Sequence, residues 1–110
     1  MLHRLLPASH RDAPLDPYLL ALLRHMLGAW PDDPGRLHWG RRNYFMTGPG
    51  RVDDALRRLV AAGMARVGSC TADDIRIYHA TERGCLAVGM NVSQAHKAID
   101  AALRSEFTSP

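Results

Sequence analysis

The stretch Leu56–Gly89 reads LRRLVAAGMARVGSCTADDIRIYHATERGCLAVG, and its hydrophobic period changes twice. Apolar residues recur at helical spacing until Gly63, which supplies a C-terminal stop. A two-residue alternation follows, as in a β-hairpin, and Thr81 is then a typical N-cap for another helix. The stretch therefore predicts the order helix, hairpin, helix.

The hairpin is bounded by its alternation. We expect strands at Ala65–Gly68 and Asp74–Ala80, joined by a loop at Ser69–Asp73. The faces of the second strand alternate, one with Ile75, Ile77 and the further candidate His79, the other with Arg76 and Tyr78. The following helix is expected from Glu82 to about Gly89.

The helix before the hairpin is the clearest one, at Val52–Met64. One face carries the apolar residues Val52, Ala55, Leu56, Leu59, Val60 and Met64. Asp53 and Asp54 lie in its first turn, where the helix dipole favours acids. The preceding Thr47–Gly50, TGPG, contains a proline, and no lysine and hydroxyl follow its glycines as a phosphate-binding loop requires, so it is interpreted as a turn.

Three elements lie outside this centre. Asp16 and Pro17 fit the start of an apolar helix that runs to about Ala29. A short strand is expected near Tyr44–Thr47, with a single helical turn before it as an option. A last helix, Val92–Phe107, has an apolar stripe that packs on the domain or pairs with a second subunit.

Length and composition fit one small domain. The chain has 110 residues, 46% of them hydrophobic, and a net charge of +3. We expect a flexible N-terminal arm at 1–15, a single domain at 16–110, and an α+β, mainly α, fold. Without an apolar run of about 20 residues or a signal-like N-terminus, we expect no membrane span and a cytoplasmic protein. Cys70 and Cys85 are expected to be reduced thiols.

The order of these motifs resembles the winged-helix half of bacterial regulators of the MarR and PadR type. There, a helix that ends like LVAAGM precedes the wing, and a Thr-x-x-Gly like Thr81–Gly84 follows it. The chain is also similar to small phage- and prophage-encoded proteins with an aromatic-Thr-Gly-Pro-Gly turn. The resemblance covers residues 41–90. It implies that Arg51–Met64 stands where the recognition helix stands and that Gly68–Asp74 is the wing tip.

Candidate nucleic-acid-binding residues are arginines on the expected helix, hairpin and loop. A basic segment at Arg36–Thr47, RLHWGRRNYFMT, mixes arginine with aromatic residues and contains no acid, a composition that suits base stacking and phosphate contact. The full set is Arg36, Arg41, Arg42, Arg51, Arg57, Arg58 and Arg76. An equal alternative for the helix is a self-neutralised surface, since Asp53–Arg57 and Asp54–Arg58 are i, i+4 pairs.

The aromatic segment and the last helix also suit a protein interface, because tryptophan, tyrosine and arginine are enriched there. Its candidate residues are Trp39, Tyr44, Ile99, Leu103 and Phe107. The plain alternative is that Trp39 and Phe45 belong to the core. No spacing of Cys70, Cys85 and His79 supports a metal site, and no motif indicates catalysis, so we expect a non-enzymatic protein without cofactors.

Two functions remain open from the sequence. The first is a small regulatory protein of winged-helix type, a transcriptional or phage-type factor that binds double-stranded DNA as a homodimer. The second is a phage or prophage accessory protein that uses the scaffold to bind a host protein. The acidic wing tip, with Asp73 and Asp74, and the lack of a clear helix before Val52 favour the second.

Overall fold

The computed structural model of the chain describes residues 15–108, with side chains up to residue 104. Its elements, in chain order, are α1 (Pro17–Leu27), a 3₁₀ turn (Pro34–Arg36), β1 (Phe45–Thr47), α2 (Arg51–Ala61), β2 (Ala65–Cys70), β3 (Arg76–Ala80), α3 (Glu82–Ala87) and α4 (Val92–Thr108). The predicted α+β class is confirmed. Of the expected arm, 1–15, only Leu15 lies within the described residues, and it packs against the core.

The start of α1 is as the sequence predicts. The Asp16 carboxylate accepts a hydrogen bond from the Tyr18 amide at 2.8 Å, and Pro17 occupies the first turn. Gly28, with a φ of 63°, ends the helix in the left-handed conformation. One face of α1 is buried through Leu19, Leu22, Leu23, Met26 and Leu27, so this helix forms the centre of the core.

The sheet has three antiparallel strands in the order β1-β3-β2, so a third strand joins the expected hairpin. The short β1 pairs with β3, with Phe45 opposite Tyr78. Strand β2 extends to Cys70, past the predicted end at Gly68, and β3 begins at Arg76, after the predicted Asp74. A bulge between Val67 and Ser69 explains the first difference, because an extra residue interrupts the two-residue alternation.

The helices after the sheet close the domain. Thr81 caps α3 as predicted, accepting from the Gly84 amide at 3.2 Å. A Cβ on Gly84 would lie 2.1 Å from the Met64 carbonyl oxygen, so α3 can approach the start of β2 only with glycine there. Helix α4 packs through its smallest residues, Ala95, Ala98 and Ala102, which are all buried.

The topology is compatible with a winged-helix-like fold, in which α2 precedes the β2–β3 hairpin. Only Gly48–Gly50 separate β1 from α2, so one helix stands between the first strand and the hairpin. Among the described residues, no helix is long and apolar enough to cross a membrane.

Candidate nucleic-acid interface

Helix α2 exposes three of the predicted arginines. Arg51, Arg57 and Arg58 are exposed, and Asp54 is exposed beside them. Asp53 is different, because only 2% of it is accessible to solvent. The expected pair of Asp53 and Arg57 is present, with 3.3 Å between the Arg57 Nε and an Asp53 carboxylate oxygen. It is therefore a bond between a surface arginine and a buried acid, and not a neutralised pair on the surface.

The buried carboxylate of Asp53 joins α2 to the hairpin. Its Oδ1 accepts a hydrogen bond from the Tyr78 hydroxyl at 2.5 Å. Its Oδ2 accepts one from Arg76 Nη1 and faces Arg57 Nε as well. Tyr78 and Arg76 are two residues apart on β3, so both reach the same side of the sheet, as the predicted alternation requires. We call Asp53, Arg57, Arg76 and Tyr78 the Asp53 cluster.

The electrostatics of the Asp53 cluster follow from this geometry. Burial raises the pKa of the Tyr78 hydroxyl, and its hydrogen bond to Asp53 raises it further. Burial acts to lower the pKa of Arg76, but attraction to Asp53 raises it above its ordinary value. Arg76 is thus a structural cation bound to Asp53. Its predicted contact with nucleic acid stays a prediction, and the structure shows that its guanidinium is paired with Asp53 and 26% exposed.

The basic segment before β1 holds two of its arginines against its own aromatic rings. The Arg36 guanidinium lies 4.5 Å from the centre of the Trp39 ring, and that of Arg42 lies 4.4 Å from the centre of the Tyr44 ring. Arg42 also donates to the Tyr44 carbonyl at 3.1 Å. Arg41 is exposed. These contacts shape the loop, so fewer of its cations are free than the sequence suggests.

Trp39 belongs to the core. Its side chain is buried, and its indole nitrogen donates to the Trp30 carbonyl at 2.9 Å. The expectation of an exposed interface residue at Trp39 is wrong, because the loop folds back over α1, where the Gly40 amide bonds the Leu27 carbonyl. The alternative that placed Trp39 in the core is confirmed.

Asn43 anchors this loop, a role that no pattern in the sequence indicates. Its buried amide donates to the carbonyls of Ala80 and Ala98 at 3.0 and 3.1 Å. Its side-chain oxygen accepts from the Ala80 amide at 2.6 Å, and its backbone carbonyl lies 2.6 Å from His79 Nδ1. Asn43 therefore ties the loop to β3 and to α4. An asparagine between arginine and tyrosine is typical of a surface loop, and only its hydrogen bonds in the folded structure show that it is buried.

The remaining interface candidates lie on two surfaces. Tyr44 is 40% exposed, and Leu103 on α4 is 42% exposed. Ile99 is half-buried and lines a pocket of about 340 Å³ with Glu82, His96 and Asp100. Phe107 is within α4, but its side chain lies outside the described residues.

The cysteines lie in different surroundings. Cys70 is exposed at the end of β2, whereas Cys85 is buried in α3. Burial, with Glu82 nearby, raises the pKa of the Cys85 thiol to about 11. Among the described side chains, no three of His, Cys, Asp or Glu are placed to hold a metal ion.

Comparisons with models of protein families, with curated proteins and with solved structures found no match.

Proposed function

We propose that the protein is a small nucleic-acid-binding regulatory protein of winged-helix type, which contacts double-stranded DNA through the exposed face of α2. The supporting observation is the burial of Asp53. With Asp53 inside, the exposed charges of α2 are Arg51, Arg57 and Arg58 against Asp54. This face is positive, and arginine is well suited to phosphate because its planar donors match phosphate oxygens.

The charge of the hairpin loop defines how such a face would meet DNA. Asp73 and Asp74, at the tip between β2 and β3, are exposed. Acidic groups repel the phosphate backbone, so the tip lies away from the duplex while α2 contacts it. In this arrangement the hairpin supports α2 through the Asp53 cluster and does not itself bind phosphate.

The test is fluorescence anisotropy of a labelled random duplex at low and moderate salt. Arg58→Gln removes a cation from α2. Lys97→Gln is the matched control, because it removes one exposed positive charge from α4. We expect binding whose log–log salt slope falls by about 0.9 in the α2 variant for one lost phosphate contact, with a smaller change in the control. No binding at low salt, or an equal decrease of the salt slope in both variants, would contradict the proposal.

A second candidate function is a protein-interaction module, and a specific row of side chains on α4 favours it. Val92 is 56% exposed and Leu103 42% exposed, with Ile99 half-buried between them. The spacing of seven and then four residues places all three on one face. The row would accept a second copy of the chain or, for an accessory protein of phage type, a host protein.

Sedimentation of the purified protein tests this second function. Leu103→Lys should abolish a dimer held by the α4 row. Leu37→Lys is the control, since Leu37 is 65% exposed in the loop before β1, outside α4. A monomer at all concentrations would leave a host protein as the partner, and equal effects of both variants would exclude the row as the interface.

A further inference from the structure

The two oxygens of Asp53 are unequally shared among its partners. Oδ1 binds the Tyr78 hydroxyl, whereas Oδ2 binds both Arg76 and Arg57. Two cations thus share one carboxylate oxygen. Arg76 is the closer of the two and is only 26% exposed, while Arg57 is 3.3 Å away and 57% exposed. Arg57 is the more weakly held partner.

Loss of Arg57 would leave Asp53 satisfied. A buried carboxylate without a partner is strongly unfavourable, but Arg76 and Tyr78 would still neutralise and hydrogen-bond this one. Loss of Arg76 would be unfavourable, because it would take away the cation closest to the Asp53 carboxylate. The guanidinium of Arg57 can therefore turn to another anion without disrupting the joint between α2 and the hairpin.

We propose that Asp53 competes with nucleic-acid phosphate for Arg57 and thereby limits the affinity of the α2 face for DNA of any sequence. This inference rests on the proposed function. Asp53 is a positioning residue here, since it acts through Arg57 and is itself too buried to touch the duplex.

A purely structural role for Asp53 has the opposite consequence. If Asp53 only joined α2 to the hairpin, its loss would loosen the face and weaken DNA binding. If it withholds Arg57, its neutralisation strengthens binding while stability falls. The sign of the affinity change therefore separates the two roles.

The experiment compares variants of the whole protein on a labelled random duplex at fixed low salt. Asp53→Asn keeps the shape and removes the charge, and we expect affinity to rise roughly two- to fivefold, as for the loss of one partly exposed ion pair. Tyr78→Phe is the matched control, because it removes a hydrogen bond of the Asp53 cluster but leaves Asp53 charged. It should destabilise the protein without raising affinity. The double variant Asp53→Asn with Arg57→Gln should not show this rise in affinity.

Each outcome decides the inference. A folded Asp53→Asn variant with unchanged or weaker binding overturns it, while binding by the wild type preserves the proposed function. No binding by the wild type overturns both. If Asp53→Asn does not fold, the Nε–H resonance of Arg57 in the wild type decides during titration with duplex. A shift of that resonance supports the exchange, and a fixed resonance while α2 backbone amides shift overturns it.

Discussion

Asn43→Ala should be among the most destabilising single substitutions in the loop before β1. The substitution removes an amide that bonds the Ala80 amide and carbonyl and the Ala98 carbonyl. Asn43 is 2% exposed, so water does not replace these bonds. The Ala98 carbonyl lies within α4 and keeps its helical bond, which leaves the two Ala80 groups to lose a partner.

The magnitude follows from those two groups. A buried polar group left without a partner costs about 1–3 kcal/mol, so the two together cost about 2–6 kcal/mol. A domain of this size has a total stability of roughly 5–14 kcal/mol. At about 4–8 °C for each kcal/mol, the melting temperature should fall by at least about 8 °C.

Asn91→Ala is the matched control, because it also removes an asparagine that bonds backbone. Asn91 is exposed, and its side chain accepts from the Gln94 amide at 2.8 Å at the start of α4. Loss of such a cap costs about 1 kcal/mol. Urea unfolding, followed by circular dichroism, gives both free energies. If Asn43→Ala costs no more than Asn91→Ala, the buried bonds of Asn43 do not stabilise the fold as argued.

Two further predictions concern close packing and the thiols. Gly84→Ala should destabilise the protein strongly, because its Cβ would lie 2.1 Å from the Met64 carbonyl oxygen. Gly48→Ala is the control, since its Cβ makes only an ordinary contact at 3.5 Å. Equal melting temperatures of the two variants would contradict the close approach of α3. Iodoacetamide at pH 8 should label the exposed Cys70 and should not label Cys85 until denaturant is added. The reason is that the buried Cys85 thiol has a pKa of about 11. Mass spectrometry of the peptides measures the labelling, and labelling of Cys85 without denaturant would contradict its burial.

The local elements could be predicted from the sequence because their signals lie within a few residues. The Asp16 cap with Pro17, the apolar face of α2 and the alternation of β3 each use contacts between neighbours in the chain. Such patterns indicate where a helix or strand begins and which face is apolar. They failed where a local irregularity broke the period, as at the bulge next to Gly68.

The candidate site was only partly predictable. The exposed arginines of α2 followed from helical spacing, and so did the pairing of Asp53 with Arg57. The same spacing describes a surface pair equally well, and it could not show that Asp53 is buried. That fact depends on Arg76 and Tyr78, 23 and 25 residues away, whose cation and hydroxyl make burial of the acid tolerable.

The sequence by itself determined the order and type of the elements and the apolar faces of the helices. Only the tertiary structure decided which polar side chains are inside and which arginines are free. Asn43 is buried because its amide donates a hydrogen bond to the Ala98 carbonyl, 55 residues away. Trp39 is buried because its loop folds onto α1. Burial of a polar group depends on partners from distant parts of the chain, whereas periodicity records only neighbours.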